Sequence, residues 1–226
     1  MNALLRIEDL WVEGRPHGGE YSPILNGVSI SVSRGEVLAL IGESGSGKST
    51  TSLATLGYAR PGCRITSGQV FLDGIDILTL TPEQKRGIRG NRVAYVAQSA
   101  AAAFNPALSI GYQVTESARI HRTMPLQKAH QQAVETFRQL GLPDPELLGR
   151  RYPHQVSGGQ LQRMMAAMAL SSGPELLVFD EPTSALDVTT QIEVLNAFKA
   201  VIQRQNAAAI YVSHDLAVVA QIADHV

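Results

Sequence analysis

The sequence predicts an α/β protein: a parallel sheet packed by helices, with an antiparallel β portion on its N-terminal side and an inserted helical segment. Three observations predict it. Val37–Ile41, Leu176–Phe179 and Ala208–Val212 are short apolar runs, the mark of strands buried on both faces. They alternate with helical patterns, as a parallel sheet with packed helices requires. Before them, Leu4–Val12 and Ile24–Val32 carry apolar residues at every second position, the pattern of a sheet with one buried face.

In chain order, Leu5, Ile7, Leu10 and Val12 form a strand interrupted by the acidic pair Glu8-Asp9. Gly14–Pro23, rich in Gly and Pro, reads as loop. Val28, Ile30 and Val32 share one face of the next strand, and Ser33–Glu36 turns into Val37–Ile41. A short helix is expected over Ser49–Leu56, stopped near Gly57. Gly68–Leu72 is a strand closed by Asp73-Gly74, a hairpin signal. Val93–Val96 is a buried strand leading to Gln98, and four alanines then precede a turn at Asn105-Pro106. Ile110 to about Gly149 reads as helical. Within it Ala129, Ala133, Val134, Phe137 and Leu140 recur at helical spacing, ending at Gly141. Further helices are expected over Gln160–Leu170 and Thr190–Gln205.

Composition sets limits. The chain has 226 residues and 44% hydrophobic content, enough for one large domain with a sizeable core. Nineteen basic and 20 acidic residues leave a net charge of -1 without a polybasic run, so nucleic acid is not the expected partner. One cysteine, Cys63, allows neither an internal disulfide nor a cysteine metal cluster and suits a reducing cytoplasm. Met1–Leu10 is not a signal peptide, and no uninterrupted apolar run approaches the roughly 18 residues that span a bilayer.

The chemistry centres on Gly42, Glu43, Ser44, Gly45, Ser46, Gly47, Lys48, Ser49 and Thr50, which fit G-x-x-x-x-G-K-[ST] between a buried strand and a helix. Glycines let backbone amides close around phosphate oxygens at a helix N-terminus. Lys48 supplies a point charge for the β- and γ-phosphates, and the Ser49 hydroxyl can ligate Mg²⁺. A second element is Leu176–Glu181, four apolar residues and then two acids at the carboxyl end of a strand, where open α/β sheets bind ligands. Asp180 is placed to hold Mg²⁺ beside Ser49, and Glu181 to orient or deprotonate water. Ser157 can cap the helix that starts at Gln160, and Gly158 and Gly159 leave its amides open to an anion. By itself that pentapeptide also reads as an ordinary capped helix. The remaining histidines, His17, His121, His130, His154 and His225, show no metal-ligand pattern and read as surface or core residues.

Taken together these segments resemble the nucleotide-binding domains of ATP-binding-cassette transporters, over nearly the whole chain and in order. Gly42–Thr50 resembles Walker A, Gln98 the Q-loop glutamine, and Val156–Gln160 the signature. Leu176–Glu181 resembles Walker B, Ser184-Ala185-Leu186-Asp187 the D-loop, and His214 the H-loop histidine. The resemblance implies a P-loop NTPase core of RecA-like type over residues 1–98 and 156–226, with a helical subdomain over about 99–155. It implies ATP and Mg²⁺ as cofactors, with Ser49, Asp180 and Gln98 near the metal and Glu181, His214 and Gln98 as catalytic residues. It further implies a second cassette, identical or different, joined head to tail. Ser157, Gly158, Gly159 and Gln160 then reach the ATP held by the other chain's phosphate loop, and Asp187 crosses the interface.

Phe104-Asn105-Pro106 and Ser184–Thr189 resemble the oligopeptide, dipeptide and nickel subgroup of bacterial importers. That implies membrane permease subunits, a solute-binding protein further out, and a peripheral place on the cytoplasmic face of the inner membrane. The alternatives are a cassette ATPase acting in a soluble enzyme complex and a binding module without turnover.

The chain also departs from the pattern. The family stacks adenine on an aromatic ring at a position that falls near Gly14 here. Tyr21 is a weak substitute, and Trp11, on a strand, reads equally as a core aromatic. Val156 stands where Leu is usual, and Ser99–Ala103 replaces a more polar segment. The sequence ends at Asp224-His225-Val226, where the family continues with a strand hairpin and a helix, so part of the family domain is expected to be missing.

Overall fold

A computed structural model describes residues 3–15, 19–184 and 186–226. The elements are β1 (Leu5–Gly14), β2 (Ser22–Val32), β3 (Val37–Ile41), α1 (Lys48–Ala54), β4 (Cys63–Leu72), β5 (Ile75–Asp76), α2 (Pro82–Ile88) and β6 (Val93–Val96). Then come α3 (Ala100–Ala103), α4 (Ile110–Val114), α5 (Glu116–His121), α6 (Leu126–Gln139), α7 (Pro145–Leu148) and α8 (Gly158–Leu170). The chain closes with β7 (Leu176–Asp180), α9 (Val188–Gln205), β8 (Ala208–Ser213) and α10 (Leu216–Ile222).

The strands make two sheets, as the two kinds of apolar pattern demand. One is antiparallel in the order β2-β1-β4-β5, and the other is parallel in the order β3-β8-β7-β6. β7 and β8 are central and buried at every residue, which is why their sequences run without polar alternation up to their last residues, Asp180 and Ser213. Their side chains still divide by parity. Leu176, Val178, Ala208, Ile210 and Val212 join a core shared with the antiparallel sheet and Ala54 of α1. Leu177, Phe179, Ala209 and Tyr211 join a second core with helices α8 to α10 and the middle helices α4 and α6. Phe179 stacks on Phe198 of α9 at 4.7 Å between ring centroids. The parallel sheet is therefore packed on both faces, and its strand ends alone are open to ligands.

The expected elements are present with shifted limits. The acidic interruption of β1 is a β-bulge rather than a break: Asp9 has φ 46° and the pairing resumes at Leu10. Gly68 faces it on β4 with φ +100°, and a Cβ there would lie 2.5 Å from the Asp9 carbonyl oxygen. Only glycine fits that approach. β4 begins at Cys63, five residues before the expected start, and β1 and β2 take up both ends of the expected 14–23 loop. Asp73 and Gly74, with φ of 50° and 79°, form a two-residue turn that pairs Leu72 with Ile75. α8 starts at Gly158, two residues before the expected helix, because Ser157 and Gln160 close a reciprocal capping box. Trp11 is not a core aromatic. It is 40% exposed, and its indole N–H donates to Asp9 Oδ1 at 2.9 Å.

Opposite the strand ends that carry the acids, an ion cluster pins the two sheets together. Glu175, just before β7, accepts from Arg92 and, at 2.6 Å, from Arg34. Arg92 also reaches Asp73 of the β4–β5 turn at 3.4 Å. Among the described residues no helix is long and apolar enough to cross a membrane.

The Arg92 hydrogen bond holds the Glu175 carboxyl below its ordinary pKa of 4.5, with burial opposing and Arg34 adding to the shift. A carboxyl acidified by folding contributes stability above its unfolded pKa, and loses it as pH falls through the lowered folded value. Glu175→Gln is expected to cost about 1–2 kcal/mol at neutral pH, and to cost progressively less below the ordinary carboxylate range. Urea unfolding of both proteins across that range checks it. A constant difference at all pH values contradicts the assignment.

Candidate functional site

The phosphate loop lies between β3 and α1. Gly42, Gly45 and Gly47 all have positive φ, and a Cβ on Gly47 would lie 2.5 Å from a Leu25 methyl. α1 has no side-chain N-cap, so its first amides turn into the loop without a competing partner from Gly47. Lys48 folds back over the loop. Its Nζ donates to the Gly42 carbonyl at 2.7 Å, the Glu43 carbonyl at 2.6 Å and Ser46 Oγ at 3.3 Å. That places a fixed cation at the rim of the amide nest, the arrangement an oligophosphate needs.

β7 delivers the acids. Asp180 is its last residue, and only 6% of it is exposed. Ser49 Oγ donates to Asp180 Oδ1 at 3.0 Å, and Tyr95 Oη donates to Asp180 Oδ2 at 2.6 Å. Glu181 keeps the strand ladder through its N–H to the Val212 carbonyl at 3.0 Å, yet has φ 50°. A non-glycine residue in that region costs of order 1 kcal/mol or more and needs support from its surroundings. The support is visible. Gln162 Nε2 donates to the Pro182 carbonyl at 2.6 Å, and Thr183 Oγ1 meets the buried Tyr211 hydroxyl at 3.1 Å. Gln191 Nε2 donates to the same Thr183 oxygen at 3.0 Å.

The Glu181 carboxylate is held from two sides. Gln98 Nε2 donates to Oε2 at 3.0 Å, and His214 Nδ1 lies 2.9 Å from Oε1. An ionised carboxylate has no proton to give, so Nδ1 carries the shared hydrogen. Gln98 follows β6 and His214 follows β8, the two strands that flank β7 in the sheet. The parallel register thus gathers the three residues.

One cleft of about 780 Å³ collects most of the residues that the sequence singles out. Glu43, Ser44, Gly45, Gly47, Lys48, Ser49, Thr50, Gln98, Asp180, Glu181 and His214 line it. Gly42 and Ser46 contact Lys48 from inside the loop and are not on the cleft wall. Ser157, Gly158, Gly159, Gln160 and Asp187 are not on it either. Ser157 and Gln160 bond each other's backbone amides at 3.2 and 3.0 Å. Asp187 caps α9 through Thr190, and those hydrogen bonds hold its carboxyl below the ordinary range. The two segments do adjoin, since a Cβ on Gly159 would meet Leu186 at 3.3 Å. Ala185 and His17 lie outside the described residues.

Arg60 and Tyr95 escaped sequence reasoning. Arg60, in the loop after α1, lines the cleft, and it shares a smaller neighbouring pocket with Tyr95, Gln98 and Asp180. Tyr95 reads only as an aromatic in a buried strand, and nothing short of the β6–β7 register points its hydroxyl at Asp180. Burial, and then the bond to Asp180, push the Tyr95 hydroxyl above the ordinary tyrosine range, so it stays a donor. Tyr21 packs instead under Arg64, whose guanidinium lies 3.9 Å from the ring centroid.

The donor set fits a magnesium-bound oligophosphate. Ser49 Oγ and Asp180 offer two hard oxygens on one spot, the share a protein usually gives Mg²⁺ when phosphate and water complete the octahedron. Among the described residues no group of three His, Cys, Asp or Glu could hold a metal unaided.

Comparison with known proteins agrees with this geometry. The sequence profile of the family described as ABC transporter matches residues 25–184. The chain belongs to the ABC transporter family. The oligopeptide transport ATP-binding protein AppD of Bacillus subtilis (strain 168) is 43% identical over 205 residues, 90% of this chain and 62% of that protein. The metal-staphylopine import system ATP-binding protein CntD of Staphylococcus aureus (strain Mu50) is 38% identical over 222 residues, 98% of this chain and 79% of that protein. Among solved structures, a dimeric ATP-binding cassette in a post-hydrolysis state, bound to ADP and Pi, superposes with a TM-score of 0.85. It is 25% identical, and the match covers 96% of this chain and 90% of that one. The chain thus spans about three fifths of the length of the AppD relative.

The support beneath Glu181 is testable without nucleotide. Thr183→Val removes the partner of both the Tyr211 hydroxyl and the Gln191 amide, in a site where Thr183 is 2% exposed. It is expected to cost about 1–3 kcal/mol by denaturant midpoint, with Thr183→Ser close to wild type. Equal midpoints for Val and wild type contradict the role assigned to this hydroxyl.

Proposed function

We propose that this chain binds and hydrolyses ATP with Mg²⁺ as the motor subunit of a bacterial importer for a small solute. The observation that carries the reading is the single cleft in which Lys48, Ser49, Asp180, Glu181, Gln98 and His214 converge. Lys48 and the loop amides bind the β- and γ-phosphates. Ser49 and Asp180, with Gln98 nearby, hold Mg²⁺, which when bound neutralises charge on the phosphate oxygens. Glu181 accepts the proton of the attacking water, and Gln98 and His214 fix the carboxylate that accepts it. Little covalent work falls to the protein, so catalysis is positioning and electrostatics.

The signature residues Ser157, Gly158, Gly159 and Gln160, absent from this cleft, are assigned to a second cassette's ATP, and Asp187 to the interface between the two. The dimeric cassette found among solved structures supports that arrangement. Residues about 99–155 then act as a helical subdomain, with 1–98 and 156–226 as the ATPase core. Gln98 stands at the junction and links nucleotide state to that subdomain. The adjoining turn is firmly held, as a coupling element must be. The buried Gln113 side chain bonds Asn105 N, Asn105 O and Leu108 O at 2.8, 3.0 and 2.9 Å. Permease subunits in the membrane are the proposed recipients of the motion, and a solute-binding protein acts beyond them. The names of the two relatives favour an oligopeptide or a metal chelate as the solute, and favour transport over a soluble enzyme complex.

Glu181→Gln is expected to retain ATP binding while turnover falls at least about a hundredfold, the loss typical of a removed general base. A fluorescent ATP analogue reports binding, and phosphate release reports turnover. Hydrolysis at the wild-type rate removes Glu181 from the role of base, and loss of binding removes the cleft from the role of nucleotide site.

A further inference from the structure

The carboxylate of Asp180 has two donors from two different elements. Ser49 Oγ reaches Oδ1 at 3.0 Å, and Tyr95 Oη reaches Oδ2 at 2.6 Å. Both oxygens of a nearly buried acid are thereby taken, and each bond fixes one edge of the group. The edge at Ser49 faces the phosphate loop, and the edge at Tyr95 faces away toward β6. A tyrosine hydroxyl has one hydrogen, and an ionised carboxylate can only accept it. The bond therefore runs one way, from Tyr95 to Asp180. The Tyr95 ring packs on the core between the two sheets, so the hydroxyl is presented on a fixed strand rather than a loop.

We propose that Tyr95 is a positioning residue of the cation site, its hydroxyl locking the Asp180 carboxylate with Oδ1 turned to Ser49 and the phosphate loop. Outer partners of this kind orient a ligating group, and their loss typically weakens metal binding tenfold or more. The inference rests on the magnesium–nucleotide reading of the cleft. Its own content is narrower: the phosphate loop, Lys48 and the folded core do not need this hydroxyl, whereas the cation does.

Tyr95→Phe keeps the ring and removes the donor. The measurement is the affinity of Mn²⁺, a paramagnetic stand-in for Mg²⁺, for the protein–ADP complex by electron paramagnetic resonance. Affinity for ADP without divalent cation and the melting temperature are measured beside it. The expected result is Mn²⁺ binding weakened on the order of tenfold in Tyr95→Phe, with cation-free ADP affinity and melting temperature unchanged. In an Asp180→Asn background, adding Tyr95→Phe should produce no further weakening. Unchanged Mn²⁺ affinity in Tyr95→Phe overturns the proposal and leaves the nucleotide site standing. A parallel loss of cation-free ADP affinity and melting temperature assigns the hydroxyl to general structure and also overturns it. Wild-type protein that binds no ADP in either condition overturns the nucleotide reading and this inference together.

Discussion

Two carboxylates stand side by side at the end of a strand that is buried along its length, and the site depends on how that cost is met. Neighbouring like charges near a low-dielectric core favour neutralisation unless each is supplied with donors. Asp180 is supplied by Ser49 and Tyr95, and Glu181 by Gln98 and His214. The four donors come from α1, from β6, from the residue pair after β6 and from the turn after β8. They meet only because β7 lies between β6 and β8, with β3 beyond β8, in one parallel sheet. The same donors also set the directions of the acids, with Asp180 turned to Ser49 and the phosphate loop and Glu181 held between Gln98 and His214.

The two-faced packing of the parallel sheet keeps these ends in place. The face toward the antiparallel sheet is filled by aliphatic side chains, and the face toward the helices by Phe179, Phe198, Tyr211 and the methionines of α8. Tyr211 serves both purposes. Its ring packs in the helical core, while its hydroxyl meets Thr183 and steadies the turn in which Glu181 holds its positive φ. At the far end of the strands, Glu175 with Arg34 and Arg92 fastens the sheets where no ligand is expected. The working end is thereby left as the open one.

Much of this was legible in the residues. The strand–loop–helix order around Lys48, and the apolar run before Asp180 and Glu181, announce phosphate chemistry because each residue type has a local reason to be there. The bulge at Asp9 was legible only as an interruption, since its partner Gly68 lies 59 positions further on and their contact is a matter of sheet register. The core reading of Trp11 fails for a related reason. The bulge shifts the register, and the indole settles on the exposed side against Asp9. Tyr95 and Arg60 gave no signal, because a tyrosine in a buried strand and an arginine in a loop are ordinary, and only the pairing of β6 with β7 turns Tyr95 toward the acid.

By itself the sequence determined the class of fold, the phosphate loop, the paired acids and the separate glycine-rich helix start, all set by local pattern: side-chain period, backbone freedom and charge next to apolar runs. The tertiary structure alone decided which oxygen of Asp180 and Glu181 meets which donor. It also decided that Ser157–Gln160 stays outside the cleft, and that Tyr95 and Arg60 stand within reach of the acid. These depend on strand order and register, which bring Ser49 and Asp180 together across 131 positions, and such distances carry no trace in local sequence.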